Sequence, residues 1–428
     1  MKIFDFGHRM LISKRGHMVA FLALYVLLAV EYVRFVYRNY SYLMGFDLRM
    51  NPVTLMTGLL FLVILVWVMF ATPRPDEGAY AVSMIVAVLF CLPAIVMYQL
   101  AGTSGFIPLY TLLFLILLRT PLLRLQPWPL PRIPVRWQRW VLPAVCILCL
   151  LPFPLAYGFH IDWSVFSMGS HTYDVRAEVA THNNLLTAYL LGPLRMVLLP
   201  MLMVYGLVNI KRDWWMTLVG VLGMLLLFML NPQKSIFFSI AVVLVFFLFK
   251  SYHAKAGMLL YGLTVVCIAT VLLNLATRNL MAESIVVRRL FFIPVIVCDN
   301  YFTFFDGHPV CLSHSFLGHW FDYPYEMEPS RLIGTMMYNR ATTNCNTGIV
   351  ADGFMNFGHL GALFFMSAGA LLLRYIDAHL GNARFFGLLA LLTITFLNSA
   401  LFTSLLTHGG LVLLLAALFL IPEGRRET

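Results

Sequence analysis

Residues 256–275 read AGMLLYGLTVVCIATVLLNL, twenty positions without one charged side chain. An α-helix needs roughly 20 apolar residues to cross a bilayer, and this run supplies them. From residue 276 to residue 356 the chain turns polar and aromatic, with histidines and arginines spread over about eighty residues. Connections between helices are usually only a few residues long, so chemistry or recognition is expected in a segment of this size.

Working outward, the whole chain is 61% hydrophobic and 11% charged, against about 25% charged for soluble domains. Water cannot be the solvent for that much apolar surface. Apolar runs fall at 17–37, 53–71, 79–98, 104–118, 140–158, 185–209, 214–230, 235–249, 256–275, 357–373, 385–401 and 405–421. The expectation is an all-α polytopic membrane protein of about twelve transmembrane helices. Phe291 to Cys298 is apolar but too short to cross, and reads as re-entrant or interfacial.

Lys and Arg in short loops set orientation. With the N-terminus inside, most of the 29 Lys and Arg collect on one face, including Arg74, Lys211, Arg212, Lys250, Lys255, Arg374 and Arg384. Both termini are then cytoplasmic, and the polar segments 159–184 and 276–356 lie outside. The organisation is helices over 1–158 with a Pro- and Arg-rich cytoplasmic linker, a polar loop at 159–184, and helices over 185–275. The large loop at 276–356 and C-terminal helices over 357–428 follow. The net charge of +10 reflects this inside bias plus anion sites. Nucleic acid is excluded as a partner, because the linker arginines are flanked by Trp128, Trp137 and Trp140 at the lipid interface. The first span contains Glu31 and lacks a small-residue cleavage site after it, so it reads as an anchor that stays. Cys91, Cys146, Cys149 and Cys267 read as small core residues, and a Cys311–Cys345 disulfide is left open.

Several groups can carry chemistry. The 159–184 loop holds His160, Asp162, His171, Asp174, Arg176, Glu178 and His182. Arg195 lies inside the following span, where a cation costs about 2.5–3.5 kcal/mol on insertion scales; it should face the protein interior or a wet cavity, in an ion pair or at a phosphate. Lys234, in Asn-Pro-Gln-Lys-Ser, either snorkels to headgroups or binds phosphate at the start of the next helix. Arg288-Arg289 precedes an aromatic stretch from Tyr301 to Phe305, suited to an anionic head and sugar rings or to packing on the membrane. His308, His314 and His319 lack zinc-ligand spacing; a His or carboxylate as general base is favoured instead. The loop closes on Asn344-Cys345-Asn346-Thr347-Gly348 and Asp352, with turn-forming residues up to Gly361.

Over residues 174–361 this ordered series resembles the Wzy-type oligosaccharide repeat-unit (O-antigen) polymerases of bacterial inner membranes. Asp174-Val175-Arg176 is similar to the family's Asp-x-Arg, and is followed by a span with a mid-helix proline, Pro200. Lys234-Ser235 is similar to its Lys-Ser. Arg288-Arg289, Pro294, Tyr301-Phe302 and Pro309 follow its Arg, Pro, Tyr-Phe, Pro series, and Asn344 to Gly361 its closing pattern. Arg195 and Gly206, with ten residues between them, fit the Arg-x10-Gly pattern; the large loop has no second copy. The resemblance implies a GT-C-like, metal-independent glycosyltransferase without cofactor, facing the periplasm. It would join undecaprenyl-diphosphate-linked glycans, with a Wzz-type chain-length regulator as a possible partner. Arg176, Arg195, Lys234, Arg288 and Arg289 would hold the diphosphate, and Tyr301, Asn344 and Asn346 the sugar. Asp352, Glu178 or His308 would serve the acceptor hydroxyl. An O-antigen ligase, or a lipid-linked sugar flippase, are the alternatives.

Overall fold

The structure, a computed structural model, describes residues 13–71, 78–120, 131–158, 184–315, 318–340 and 343–421. Among these residues it is helical without strands. The helices are α1 (Lys14–Tyr40), α2 (Pro52–Phe70), α3 (Gly78–Leu100), α4 (Phe106–Arg119), α5 (Arg136–Tyr157), α6 (Leu185–Val208) and α7 (Ile210–Leu230). After them come α8 (Ser235–Leu248), α9 (Tyr252–Thr277), α10 (281–305), α11 (Pro329–Tyr338), α12 (Ile349–His379), α13 (Ala383–Asn398), α14 (Leu401–Leu406) and α15 (Gly410–Phe419). Most of the expected apolar runs lie on one helix each; 405–421 takes in the end of α14, the turn 407–409 and α15. Eight of those helices are long and apolar enough to cross a membrane; α4, α8, α13 and α15 are shorter.

Local sequence accounts for the helix ends. Asn51 accepts from Val53 N–H ahead of Pro52, Ser251 accepts from Ala254 N–H, and Asn184 and Thr187 form a reciprocal capping box. Each cap satisfies amides that have no partner inside the helix. The exposed residues of α2 include Val53, Met56, Leu59, Leu60, Val63 and Trp67, while the buried ones include Gly58, Leu62, Leu65 and Met69. Both stripes recur at helical spacing, and both are apolar. A helix that is apolar on its exposed side has lipid as its second solvent.

The chain divides into two units. The first comprises 1–124, 251–374 and 396–401, and in it α3 is packed by α1, α2, α4 and α9. Almost every residue of α3 is buried, and it carries no charge to prevent that. The second comprises 125–250, 375–395 and 402–428, built around the α6–α7 pair. Gly220 lets α7 approach the α6 backbone, since a Cβ there would lie 3.0 Å from Leu199 O and Met203 N. Arg139 pairs with the buried Asp213 at 2.9 Å, tying α5 to α7.

The segment 276–356 is mostly ordered helix. Its apolar centre, expected to be re-entrant or interfacial, lies within α10. The first part of α10, Ser284–Phe292, is a π-helix, as are Tyr32–Tyr37, Ala87–Cys91 and Leu194–Leu198. Pro93, Pro193 and Pro294 adjoin three of these segments; a proline lacks the N–H that would continue the regular ladder.

The α12 helix is a hairpin. Phe357 and Gly358 leave helical geometry, Gly358 at φ +61°, a conformation open to glycine at no steric cost. Gly353 and Gly361 would be about 12 Å apart along a straight helix. Instead a Cβ on Gly353 would overlap Gly361 O and lie 2.9 Å from Ala362 Cα. The arm 349–356 therefore folds back on the apolar arm 359–379, which carries the expected span from residue 359 onward. Non-spanning backbone of this kind is tolerated at membrane depth when protein buries it, and Ala351 to Asn356 are all buried. All seven cysteines are free, Cys311 and Cys345 included.

Candidate functional site

In the second unit, Arg195 sits in the π-helical turn of α6, and its guanidinium reaches the turn before α8. Its Nη1 donates to Ser235 Oγ at 2.9 Å and to the Gln233 side-chain oxygen. Gln233 is in turn held on Asn231 Oδ1 at 3.2 Å. Lys234, exposed between these two residues, occupies the cap position of α8. The turn 407–409 closes another side. Gly409 makes room for it, since a Cβ there would lie 2.9 Å from Pro193 Cα. His408, on that turn, is near enough to Arg195 for their charges to interact, and its buried Nδ1 has no hydrogen-bond partner. A guanidinium, a hydroxyl and a helix N-terminus converge here, with Lys234 on the same turn. That set of donors suits a phosphate-type anion.

The first unit holds the other predicted cations. Arg288 donates from Nε to Ser284 Oγ at 3.0 Å and stacks over the Tyr40 ring at 4.2 Å. Arg289 is exposed beside it. Tyr338, at the end of α11, lies within electrostatic reach of both arginines and of Tyr42; burial raises its phenol above the usual value. Stacking leaves one face of a guanidinium for aromatic contact while its edge remains a donor fork.

The sugar-binding candidates divide. Tyr301 is buried, and its hydroxyl donates to Cys345 O at 3.1 Å. It fixes the strand of chain that exposes Asn344 and Asn346 on either side. Tyr301 thus acts on the packing of this segment, while the two asparagines are accessible. His308 is exposed in the turn after α10, its Nδ1 2.9 Å from Asp306 O. His314 is half-buried with its Nδ1 unpartnered, and burial lowers its pKa.

Asp352 is 2% exposed. Its Oδ2 accepts from Leu401 N–H at 2.8 Å and its Oδ1 from Asn356 Nδ2 at 3.1 Å. Asn356 also accepts from Leu312 N–H at 2.8 Å, while Phe302 stacks on Phe354 at 4.1 Å. Asp352 therefore joins the folded-back arm of α12 to the segment 396–401. Arg176 and Glu178 lie outside the described residues.

The structure thus brings Arg195 to the Lys234-Ser235 turn, Arg288 and Arg289 to Tyr40 and Tyr338, and Tyr301 to the Asn344–Asn346 segment. Gln233, His408, Tyr40 and Tyr338 escaped the sequence reading, because nothing local distinguishes a glutamine or tyrosine that meets a cation from one that does not. Among the described residues, no group of three or more His, Cys, Asp or Glu could hold a metal ion. Comparison with known proteins finds no matching family model, and no curated protein or solved structure that matches.

Proposed function

We propose that this chain is a membrane glycosyltransferase of the Wzy type, joining undecaprenyl-diphosphate-linked repeat units at the periplasmic face of a bacterial inner membrane. The observation that carries this reading is Arg195, held inside an apolar helix on the Gln233-Lys234-Ser235 turn. Two motifs that the resemblance assigns to one diphosphate are here in direct contact, across 40 residues of sequence.

In the proposed reaction the bond between the donor's anomeric carbon and its diphosphate oxygen breaks, and a bond to the acceptor hydroxyl oxygen forms. The acceptor proton passes to a base, and negative charge gathers on the departing diphosphate. Cations fixed in a water-poor site stabilise that charge as it develops, at no cost of reorganisation. The Arg195–Lys234 cluster supplies them. The reaction takes two lipid diphosphates, donor and acceptor, and the Arg288–Arg289 face with Tyr40 and Tyr338 is a second cationic set by itself. Of the candidate bases among the described residues, His308 is exposed. Asp352, with both oxygens engaged, is the weaker candidate.

Lipopolysaccharide banding in a deletion strain tests the reading. Loss of the ladder with a single repeat unit retained is expected, restored by the wild-type gene. Arg195→Ala should fail to restore it at normal protein level, and Arg195→Lys should restore it partly at best, for want of the bidentate fork. Loss of all O-chain, with polymer left on the lipid carrier, would make the chain a ligase. An unchanged ladder would refute both.

A further inference from the structure

Two buried carboxylates in the first unit share one guanidinium. Glu31, at the end of the regular part of α1, is 2% exposed, and Glu283, at the start of α10, is fully buried. Arg34 donates from Nε to Glu31 Oε1 at 3.0 Å and from Nη2 to Glu31 Oε2 at 2.6 Å. The same Nη2 donates to Glu283 Oε1. Asn274 Nδ2 donates to Glu283 Oε2 at 2.7 Å. The two carboxyl groups therefore meet at one nitrogen, Arg34 Nη2.

We propose that Glu31 and Glu283 form a proton-binding site, one proton held between the two carboxyl groups, whose loss loosens the junction of α1 with α10. Two ionised carboxylates against a single cation would leave a net buried negative charge, and a buried charge without compensation is costly. One shared proton cancels it. The proton then takes the place of a second cation: one carboxyl group donates to the other, and Arg34 neutralises the remaining charge.

Among the described residues, Arg34 is the one cation at ion-pair distance from either carboxyl group. From α9 it meets Asn274, and Cys267, which lies within electrostatic reach of Glu31. Further along α10, Arg288 is engaged by Ser284 and the Tyr40 ring. The packed neighbour Ala87–Leu100 carries no charged residue, and Asp299 in α10 accepts from Ser104 N–H at 2.8 Å. The Arg34 side chain is 33% exposed, so the pair is not sealed from its surroundings. Each glutamate immediately precedes a π-helical segment, Tyr32–Tyr37 and Ser284–Phe292. Such segments are local departures that often mark functional positions, and these two pack on one another. The pair therefore ties together two irregular segments that meet again where Arg288 stacks on Tyr40. Burial first, and then the hydrogen bond to Glu31, push Glu283 up to about 7.

The native state binds this proton more tightly than the unfolded chain does. Its contribution to stability is therefore complete in acid and declines as pH rises from the ordinary glutamate range through neutrality. The inference stands independently of the polymerase reading. Infrared difference spectroscopy of the purified full-length protein tests it, titrated from acid to alkaline pH. A protonated-carboxyl stretch that vanishes as pH rises through neutrality is expected. It should be absent from Glu31→Gln and Glu283→Gln and retained in Asp299→Asn. The thermal midpoint of the wild type should fall over the same range, while that of Glu283→Gln, which keeps a neutral donor, stays level. A wild-type spectrum without this band, a band that survives both glutamine substitutions, or a wild-type midpoint level across neutrality would overturn the proposal.

Discussion

Replacing Gly353 with alanine puts the fold-back of α12 to a direct test. A methyl group at this position would overlap Gly361 O and lie 2.6 Å from its carbonyl carbon. Those are backbone atoms, so no side-chain rotation relieves the clash and the two arms must separate. Overpacking of this kind costs about 1–3 kcal/mol. Overlap with backbone belongs at the upper end of that range. The better helix propensity of alanine opposes it by about 1 kcal/mol, so the expected net effect is a loss on the order of 2 kcal/mol. Gly361→Ala should behave alike, since its Cβ would overlap Gly353 O and lie 2.7 Å from Phe357 Cβ. The double variant should then cost less than the two single losses together, because arms already parted by one methyl accommodate the other. Gly262→Ala is the control: in α9 its Cβ meets only Met258 Sδ at 3.5 Å, so the propensity gain should appear unopposed. The assay is thermal unfolding of the full-length protein in detergent, followed by tryptophan fluorescence. Gly353→Ala melting at or above the wild type, with Gly262→Ala raised as expected, would refute a hairpin at this separation.

Asp352→Asn should destabilise the fold by about 1–3 kcal/mol, the cost of an unsatisfied buried polar group. An amide can still accept from Leu401 N–H, but then turns its NH₂ toward the Asn356 donor; an unfolding midpoint equal to wild type, with elongation abolished, would instead identify Asp352 as the base. Purified protein given lipid-linked repeat units should elongate them in EDTA, because the Arg195 and Lys234 charges can neutralise the leaving diphosphate. Activity lost to chelator and regained with a divalent ion would contradict that role.

The membrane-embedded character of this chain is written locally. An apolar run such as 256–275 becomes a helix because no other backbone arrangement satisfies its amides in lipid, and caps such as Asn184 and Ser251 mark where those helices begin. Arg195 and Lys234-Ser235 were legible as separate cations, since a charge inside or beside an apolar run stands out without any knowledge of partners. Their contact was not legible, because it depends on how α6 packs beside the turn into α8. The α10 helix was obscured for a related reason. Glu283, Arg288, Arg289 and Asp299 break its apolar run, and it is stabilised by partners far away in sequence, such as Arg34, 249 residues from Glu283. Nor could the sequence separate Asp352 as a base from Asp352 as a strut. That distinction rests on Gly358 reversing the chain and on Leu401 N–H arriving at the carboxylate. Hydrophobic burial depends on composition along one segment and is readable there. Hydrogen bonds and ion pairs depend on angstrom-scale separations between segments, which only the packed tertiary structure determines.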